Sequence, residues 1–390
     1  MKLVVIGLGQ CGGRIADEFA RLGIRARTQR GIEIITGAFA VNTDVADLTG
    51  LVTIRPDYRH RILIGAQKTS GHGVGKINEL GAEIARDDSD KIIDVIRMAE
   101  RFPETDAFLL VAGAAGGTGS GAIPTMTQFL KERYIEKPIY NLIVLPFHHE
   151  EETEGRTIYN AATCLKSAYL VADAVFLIDN QRYISEDSSV RSNLAKINAL
   201  IAEPFYNLLC AGEEKKPQYI GSRIIDAGDI IQTLTGWTVM GYGKSQPRPK
   251  GLFQGKGDFR EKASETQKGV HVMNKAIGEL SLQCNPADAG RGLYLLSAPP
   301  KEMDMNLIKE LGTYLKGIAP EALIRAGDYP REKDSLNVII ILSELSYVKK
   351  ITGYFTKTID FISTLKKRRE GVEYEHRGIE EAFKDIPTLL

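Results

Sequence analysis

Two glycine-rich segments have the residue types and spacing that suit phosphate chemistry. The first, Gly7-Leu-Gly9-Gln-Cys-Gly12, fits the pattern GxGxxG, and the second is Ala112-Gly-Ala-Ala-Gly-Gly-Thr-Gly-Ser-Gly121. Glycine lets the backbone approach a phosphate closely, and successive N–H groups with the hydroxyls of Thr118 and Ser120 form a nest for a polyphosphate. A lone GxGxxG also occurs in tight turns without a ligand, so the second segment carries the prediction of a nucleotide site.

Two further segments have compositions that suit the same site. Asn42-Thr43-Asp44 ends a predicted strand, and Gly71-His-Gly73-Val-Gly75 is another glycine-rich loop. A dinucleotide-binding fold needs one phosphate loop, whereas these segments place four loops at one edge of the predicted sheet. The motif GxxxxGKS or GxxxxGKT does not occur in the sequence, which excludes a P-loop.

Two aspartates form the second candidate for chemistry. Asp226 and Asp229 stand three residues apart at the start of a predicted helix over Ile230–Leu234, so they share one face of its first turn. Such carboxylates can orient a water molecule and polarise it toward a γ-phosphate. The alternative is that Asp229 caps the helix, and the residues alone favour capping.

The first half of the chain alternates apolar runs with helical patterns. Near-continuous apolar strands separated by helices predict a doubly wound α/β domain with a parallel sheet and ligands at the carboxyl ends of its strands. The predicted strands are Lys2–Ile6, Ala38–Val41, Ala107–Ala112, Ile139–Leu145 and Ala174–Ile178. The predicted helices are Gln10–Leu22, Ile77–Arg86, Lys91–Ala99, Ile123–Arg133 and Ile158–Leu170.

The second half has a different pattern, which predicts a smaller α/β domain with its own sheet. A long helix over Ser192–Cys210, broken or bent near Pro204, precedes it, and a polar segment rich in Gly and Pro, Gly243–Gly269, is predicted to be a long mobile loop. An amphipathic helix is predicted over residues 345–365. The remaining predicted elements are strands at Tyr294–Ser297, Leu323–Gly327 and Val338–Leu342, and helices at Ala263–Leu282 and Asn306–Leu315.

Composition excludes several classes of protein. The 390 residues contain 50 Lys and Arg against 50 Asp and Glu, and 43% of them are hydrophobic. This length predicts two domains, the apolar fraction is that of a globular protein, and the charge balance argues against nucleic acid as a partner. The four cysteines are far apart, with no CxxC and no zinc spacing, which predicts a reduced intracellular chain without a metal centre of its own.

Neither a secretory signal nor a membrane span is expected. The N-terminal apolar run is broken by glycines after a few residues, and no stretch approaches the ~18 apolar residues of a spanning helix. We therefore predict a soluble, cytoplasmic protein.

The segments GQCGG, AVNTD, GHGVG and above all GGTGSG resemble the nucleotide-binding loops of the tubulin/FtsZ superfamily. Within it, the stretch IGAQKTSGHGVGKINELGAEIARDD resembles CetZ, the archaeal tubulin-like group, and the resemblance extends from Lys2 to Leu342. It implies a cytoskeletal GTPase that binds GTP or GDP with Mg²⁺ and polymerises head to tail. Cell-shape control is the task implied by the CetZ group, and division-ring formation is the alternative within the superfamily.

The resemblance also implies a set of binding residues. Residues 10–14 would wrap the phosphates, 116–120 would hold the β- and γ-phosphates, Glu154 would bind ribose, and Asn180 and Asn198 would bind guanine. The full implied set is Gly9, Gln10, Cys11, Gly12, Gly13, Arg14, Asn42, Thr43, Asp44, Gly71, Gly73, Gly75, Ala114, Ala115, Gly116, Gly117, Thr118, Gly119, Ser120, Gly121, Glu154, Asn180 and Asn198.

Three positions depart from the family pattern. Ala115 replaces a glycine of the signature loop, Leu194 replaces a base-stacking aromatic, and Ile224 replaces an asparagine before the DxxD motif. With the resemblance, Asp226 and Asp229 become catalytic residues of a synergy loop. They follow the long helix, at the end away from the phosphate loops, so they are expected to complete the site of the next subunit.

The implied domain organisation is a GTP-binding domain followed by a connecting helix, a second domain, an amphipathic helix and a charged tail. Their expected ranges are 1–191, 192–212, 213–344, 345–370 and 371–390. The basic loop 243–269 is expected to make lateral filament contacts. The end of the tail resembles the FtsZ C-terminal peptide, which suggests a protein partner, and the amphipathic helix is expected to pack on the protein and not on a membrane.

Two other classes of function compete with this interpretation. An oxidoreductase would use Gly7, Gly9 and Gly12 to bind NAD, but it leaves GGTGSG and the DxxD motif unexplained. A nucleotide-binding assembly protein without turnover is the other class, which the replacements at Ala115 and Ile224 favour.

Overall fold

The structure, a computed structural model, describes residues 1–184, 190–245, 259–332, 335–370 and 387–389, with side chains of 190–192, 259–266 and 364–370 outside the description. Contacts divide the chain into two compact units, which we call the larger and the smaller unit. The larger unit comprises Lys2–Arg25, Ile35–Ala202 and Tyr347–Leu390. The smaller unit comprises Met1, Ala26–Ile34 and Glu203–Ser346.

A parallel sheet forms the core of the larger unit. Every residue of its strands β1, β5 and β6 is buried, which explains why these runs are continuously apolar in the sequence. The strands lie in the order β3-β2-β1-β4-β5-β6. Their bounds are β1 (Leu3–Leu8), β2 (Ile35–Asn42), β3 (Arg61–Leu63), β4 (Ala107–Gly113), β5 (Ile139–Leu145) and β6 (Ala174–Asp179).

Helices connect these strands and pack on one another. Helix α4 packs on α6, α6 on α8, and α8 on the C-terminal helix α13. Their bounds are α1 (Gly9–Arg30), α2 (Val45–Thr49), α3 (Ala66–Thr69), α4 (Asn78–Asp87), α5 (Ser89–Arg97), α6 (Thr118–Arg133), α7 (His148–Thr153), α8 (Gly155–Val171), α9 (Val190–Ala211) and α13 (Lys349–Glu370). The last residues of α1 and of α9 are counted with the smaller unit.

The strand order places a switch point between β1 and β4, from which the sheet extends in both directions. Residues pair in register from Leu3 with Ala107 to Leu8 with Ala112, so both strands end side by side. Both glycine-rich segments begin at this edge, because one follows β1 and the other follows β4. Ligands of open α/β sheets bind at such a point.

The smaller unit has a mixed sheet in the order β7-β10-β8-β9, in which only β8 and β9 are parallel. Helix α11 packs on β7, and α12 packs on α11 and β9. The bounds are α10 (Ala227–Thr233), β7 (Gly236–Lys244), α11 (Phe259–Gly278), β8 (Ala289–Ala298), α12 (Met305–Ile318), β9 (Leu323–Pro330) and β10 (Asn337–Leu345). Short 3₁₀ helices occur at Phe102–Glu104, Asn180–Tyr183, Pro217–Tyr219, Pro286–Asp288 and Pro300–Glu302.

The α/β fold class is confirmed, and the five predicted strands of the larger unit lie within two or three residues of their predicted bounds, whereas β3 (Arg61–Leu63) was not predicted. The predicted domain boundaries remain a prediction. Across the described ranges, no helix is both long enough and apolar enough to cross a membrane.

Several structural predictions are wrong in part. The loop predicted over 243–269 is helical from Phe259, while residues 246–258 lie outside the described residues. Helix α6 begins at Thr118 and not at Ile123, because its first-turn glycines are used for close packing. Helix α9 is continuous through Pro204, although a proline removes one hydrogen bond from a helix interior.

The C-terminal amphipathic helix begins at Lys349, because Leu345 ends strand β10. Its apolar side packs on α8: Thr358 Oγ1 donates to the carbonyl oxygen of Ile158 at 3.3 Å. Phe361 lies so close to Gly155 that a Cβ on this glycine would meet its ring at 2.8 Å. The residues of the charged tail before 387 lie outside the described residues.

Candidate nucleotide-binding site

A cavity of about 600 Å³ opens in the larger unit at the carboxyl ends of the strands. This volume lies within the ~300–1,000 Å³ range of small-molecule sites. The sequence-predicted residues that line it are Gly9, Gln10, Cys11, Arg14, Asn42, Asp44, Gly73, Ala115, Gly116, Gly117, Thr118, Gly119, Asn180 and Asn198. The structure therefore brings together all four predicted loops and both predicted guanine-binding asparagines.

Other predicted residues are not among the described residues that line the cavity, namely Gly12, Gly13, Thr43, Gly71, Gly75, Ala114, Ser120, Gly121 and Glu154. Several of these residues instead allow the helices that carry the lining residues to pack closely. A Cβ on Gly12 would lie 2.0 Å from the carbonyl oxygen of Val111, and one on Gly121 would lie 2.0 Å from that of Asn78. These glycines allow α1 and α6 to approach neighbouring backbone.

The N-termini of helices α1 and α6 meet beside the cavity. Gly9 begins α1 with φ +70°, and a Cβ there would lie 2.9 Å from the amide nitrogen of Gly119 in the first turn of α6. The first N–H groups of a helix have no acceptor within the helix, and its dipole favours negative charge at this end. Two such termini side by side suit a polyphosphate.

Asn160 on α8 is a residue of the site that sequence analysis missed. It is fully buried, and its Nδ2 lies 2.9 Å from the carbonyl oxygen of Lys76 and 3.1 Å from those of Ala115 and Gly116. In a trans peptide group the C=O and the N–H point in opposite directions, so the N–H groups that follow these three carbonyls point away from Asn160. This amide fixes two of the cavity loops, while its own Oδ1 has no hydrogen-bond partner among the described residues.

Asp47 is a second missed residue, and it lines the cavity. Its carboxylate accepts from Gln10 Nε2 at 2.6 Å and from Asn42 Nδ2 at 3.1 Å, so it orients two predicted site residues. Asp44 caps the short helix α2 by accepting from the N–H groups of Ala46 and Asp47. The loops after β2 and before α6 are tied by the hydroxyls of Thr43 and Thr118, which are 2.7 Å apart.

Lys76 adds a cation to the lining. It is a non-glycine residue in the left-handed region, with φ +62°, and its carbonyl is held by Arg156 as well as by Asn160. Its Nζ lies 2.7 Å from Glu154, the predicted ribose-binding acid. Here Glu154 is a surface carboxylate, 48% exposed, that positions Lys76; its predicted contact with ribose remains a prediction.

The other end of the cavity combines amides with apolar side chains. Asn180 and Asn198 line it together with Leu194, which occupies the place of the missing aromatic. The Phe147 and His149 rings, which also line the cavity, stack on each other with centroids 5.5 Å apart. Asn180 follows Asp179, whose carboxylate accepts from the Nζ of Lys350 on α13 at 2.8 Å.

Cys11 is a neutral part of the wall. Desolvation raises the pKa of its thiol to about 12; the Glu150 carboxylate adds to the rise and the Arg14 guanidinium opposes it. A thiol with a raised pKa stays protonated at neutral pH, and only the thiolate is a strong nucleophile. Cys11 therefore contributes shape and not covalent chemistry.

Asp226 and Asp229 belong to the smaller unit and are not among the described residues that line the cavity. Asp226 is the N-cap of α10 and accepts from the N–H of Asp229 at 2.9 Å, while Asp229 accepts from the N–H of Asp226 at 3.4 Å. The capping alternative assigned the cap to Asp229 and was wrong on that point. Capping leaves both carboxylates partly exposed, so it does not prevent a catalytic role.

Two side chains fix the aspartate loop from β9. Arg325 Nε lies 3.3 Å from Asp229 Oδ1. Asp328 is 4% exposed, and its carboxylate accepts from the N–H groups of Ser222 at 2.9 Å and Arg223 at 2.6 Å. These contacts tie the loop that leads to the two aspartates to β9.

Comparison with known proteins assigns the family. Residues 2–186 match the tubulin/FtsZ family, GTPase domain, and residues 187–360 match the C-terminal domain of tubulin-like CetZ. The tubulin-like protein CetZ1 of Haloferax volcanii is 34% identical over 368 residues, which cover 90% of each chain. This chain belongs to the CetZ group of the tubulin/FtsZ family of GTPases.

Solved CetZ structures have the same fold. CetZ1 from Haloferax volcanii, a GDP-bound monomer, superposes with a TM-score of 0.79 at 31% identity and covers 93% of this chain and 100% of its own. CetZ2 from the same organism, a GTPγS-bound protofilament, gives 0.80 at 26% identity, with 94% and 100% covered. The predicted resemblance is confirmed, and membership of this family favours a GTPase over the NAD-dependent oxidoreductase.

Proposed function

We propose that this CetZ-family chain binds GTP with Mg²⁺ in the cavity, polymerises head to tail in the cytoplasm and hydrolyses GTP where two copies meet. We further propose that the filament controls cell shape. One observation supports the mechanism: the loops predicted to bind phosphate line the cavity, whereas Asp226 and Asp229 belong to the other unit and are not among its described lining residues. A second copy is the proposed source of these carboxylates.

The cavity has the electrostatics that a triphosphate requires. Arg14 and Lys76 line it, and the N-termini of α1 and α6 direct their N–H groups toward the same edge of the sheet. The two cationic side chains and the two helix N-termini each favour the binding of an anion. The CetZ1 and CetZ2 structures hold GDP and GTPγS, which supports guanine nucleotides as the ligands of this cavity too.

Guanine is proposed to lie at the end of the cavity lined by Asn180 and Asn198. A side-chain amide offers both an N–H donor and a carbonyl acceptor, which suits the mixed edge of guanine. A site built to hydrogen-bond such an edge rejects a base that leaves its amides unpaired. Leu194 provides an apolar surface for the base where the family pattern has an aromatic ring.

The lining offers two carboxylates for Mg²⁺, and the nucleotide phosphates would have to supply further ligands. Asp44 and Asp47 supply the hard oxygen ligands that Mg²⁺ prefers, and this ion is usually held by one or two carboxylates plus substrate phosphates. Within the described part of the chain, no group of three or more His, Cys, Asp and Glu side chains could hold a metal ion by itself. When bound, Mg²⁺ would neutralise charge on the phosphates, with Asp44 as the proposed ligand.

Hydrolysis requires a positioned water, which is the proposed role of the two aspartates. Water attacks the γ-phosphorus, the bond to the bridging oxygen breaks, and a carboxylate accepts the proton of the attacking water. Asp226 and Asp229 hold each other through reciprocal main-chain bonds, and Arg325 fixes Asp229. The pair is therefore pre-organised before a second copy approaches.

Asn160→Asp is expected to weaken GTP binding about ten-fold, since carboxylate oxygens cannot donate to the carbonyls of Lys76, Ala115 and Gly116. The two loops would lose the donor that holds these three carbonyl groups. The measurement is the Kd of a fluorescent GTP analogue.

Asn141→Asp is the matched control for this variant. Asn141 is also a fully buried asparagine of the larger unit, but it lies on β5, and its Oδ1 accepts from Thr127 Oγ1 at 2.8 Å. Its Kd for GTP is expected to stay at the wild-type value. Equal Kd values for the two variants would show that Asn160 does not position the cavity loops.

The proposed function is tested by nucleotide competition followed by sedimentation. GTP is expected to displace a fluorescent guanine nucleotide far better than ATP or NAD, and GTPγS is expected to drive the chain into a pellet at high speed. ATP or NAD binding as tightly as GTP would contradict the proposed ligand. A chain that binds GTPγS but stays in the supernatant at every concentration would contradict polymerisation.

A further inference from the structure

The C-terminal end of the chain is seated on the larger unit. The N–H of Leu389 donates to Ser167 Oγ on α8 at 2.9 Å. Its carbonyl oxygen accepts from Thr125 Oγ1 on α6 and from a guanidinium N–H of Arg86 on α4, both at 3.3 Å. Both main-chain polar groups of one tail residue are therefore paired with side chains from three helices.

The contact has the features of a bound peptide. The side chain of Leu389 is only 6% exposed, and Thr388 Oγ1 lies 3.3 Å from Ser167 Oγ. The hydroxyl-bearing residues Ser167 and Thr125 are 0% and 1% exposed beneath the tail. Burying an apolar side chain while pairing the adjacent backbone is how extended peptides are recognised by a groove.

The path from the preceding helix is short enough for the tail to reach its own chain. On α8, Ser167 lies twelve residues beyond Gly155, which contacts Phe361 of α13, and this separation corresponds to ~18 Å along the helix. Helix α13 continues from Phe361 to Glu370, a further ~14 Å. The sixteen residues 371–386 can span up to ~55 Å, which exceeds the two helix distances of ~18 Å and ~14 Å taken together.

We propose that the surface formed by Arg86, Thr125 and Ser167, the docking groove, is a peptide-binding site whose ligand is the C-terminal tail of the same chain, anchored by Leu389. The tail occupies the groove in cis, so a partner that recognises the tail must first displace it. This inference concerns a surface distinct from the nucleotide cavity and does not depend on the proposed function.

The test measures whether the groove of the intact chain is already occupied. A fluorescein-labelled peptide of residues 385–390 is titrated with the full-length wild type and with full-length Leu389→Asp, and fluorescence anisotropy gives the Kd. A charged carboxylate in place of the buried Leu389 side chain would have to be desolvated, so the variant tail is expected to leave the groove. Because a tethered tail competes at high effective concentration, the wild type is expected to bind the peptide at least about ten-fold more weakly than the variant.

Matched groove variants identify the binding surface. In the Leu389→Asp chain, Thr125→Val is expected to weaken peptide binding roughly five-fold, the effect of one lost hydrogen bond. Thr127→Val on the same helix is expected to leave it unchanged, because Thr127 contacts Asn141 and not the tail. Circular dichroism verifies that each variant is folded.

Three results would overturn the proposal. Equal Kd values for the wild type and Leu389→Asp would show that the tail does not fill the groove. A peptide that binds neither chain would show that the groove is not a peptide site. Wild-type binding that rises to the level of the variant on dilution would show that the tail of a second copy is the occupant.

Discussion

Asp229→Asn is expected to reduce GTP turnover by about 10²–10⁴-fold while leaving GTP binding at the wild-type level. The amide keeps the shape of the side chain and can still accept from the N–H of Asp226, but it cannot take a proton from water. Asp226→Asn is expected to have a similar effect. Turnover is measured as phosphate release under polymerising conditions, and binding as the Kd of a fluorescent GTP analogue.

Asp304→Asn is the control for these substitutions. Asp304 is also an N-cap carboxylate of the smaller unit, and it accepts from the N–H of Asn306 on α12 at 3.2 Å. Asparagine is as good an N-cap as aspartate, so turnover is expected to stay within about two-fold of wild type. An Asp229→Asn chain with more than half of the wild-type rate would show that the carboxylate is not catalytic.

Gly9→Ala is expected to weaken GTP binding by about 100-fold, which corresponds to ~2.7 kcal/mol. Two effects act at this position: strain lowers the stability of the fold, and a close contact disturbs the site. An L-residue at φ +70° is strained by about 1–2 kcal/mol, and its Cβ would lie 2.9 Å from the amide nitrogen of Gly119. Relief of that contact must move the N-terminus of α6, one of the two helix ends that hold the phosphates in our proposal.

Gly31→Ala is the control that separates the backbone strain of a positive φ from the effect of Gly9→Ala on the nucleotide site. Gly31 follows the other end of α1 with φ +71°, but a Cβ there would meet nothing within 4 Å. This variant is expected to lower the free energy of unfolding by about 1–2 kcal/mol and to leave the Kd for GTP unchanged. If both variants bind GTP equally well, the approach of Gly9 to Gly119 is not needed for phosphate binding.

The location of the site could be predicted from the sequence because it depends on local signals. Glycine clusters directly after apolar strands predict loops at the carboxyl edge of a parallel sheet, and the register of β1 with β4 places two of them side by side. The DxxD motif likewise predicts a helix start, which the structure has at α10. Each inference needs only neighbouring residues and the period of the apolar pattern.

The supports of the site could not be predicted, because they depend on residues far apart in the chain. Asn160 fixes carbonyls that are 44 to 84 positions away in sequence, and no feature of its own segment distinguishes it from any other buried asparagine. Asp47 is 37 positions from Gln10, and Glu154 is 78 from Lys76. Hydrogen-bonding residues such as these become recognisable only when the tertiary fold is known.

The predicted bounds of helices were wrong where tertiary packing outweighs the local sequence composition. Thr118 to Gly121 have low helix propensity, yet they form the first turn of α6 because glycines fit against Leu8 and Asn78. Residues 259–262 are predicted only as polar loop but are helical, and residues 263–269 are predicted both as part of that loop and as part of the helix Ala263–Leu282. Helix α11 packs on β7 and β10, and such tertiary contacts stabilise a helix more than its propensity does.

The most direct test of the central claim is GTP turnover per subunit measured over a wide range of protein concentration. If a second copy supplies Asp226 and Asp229, specific activity is near zero at low concentration and rises steeply above a threshold that coincides with sedimentable polymer. Specific activity that is constant from the lowest concentration would show that one subunit hydrolyses GTP alone, and would contradict a site shared between copies.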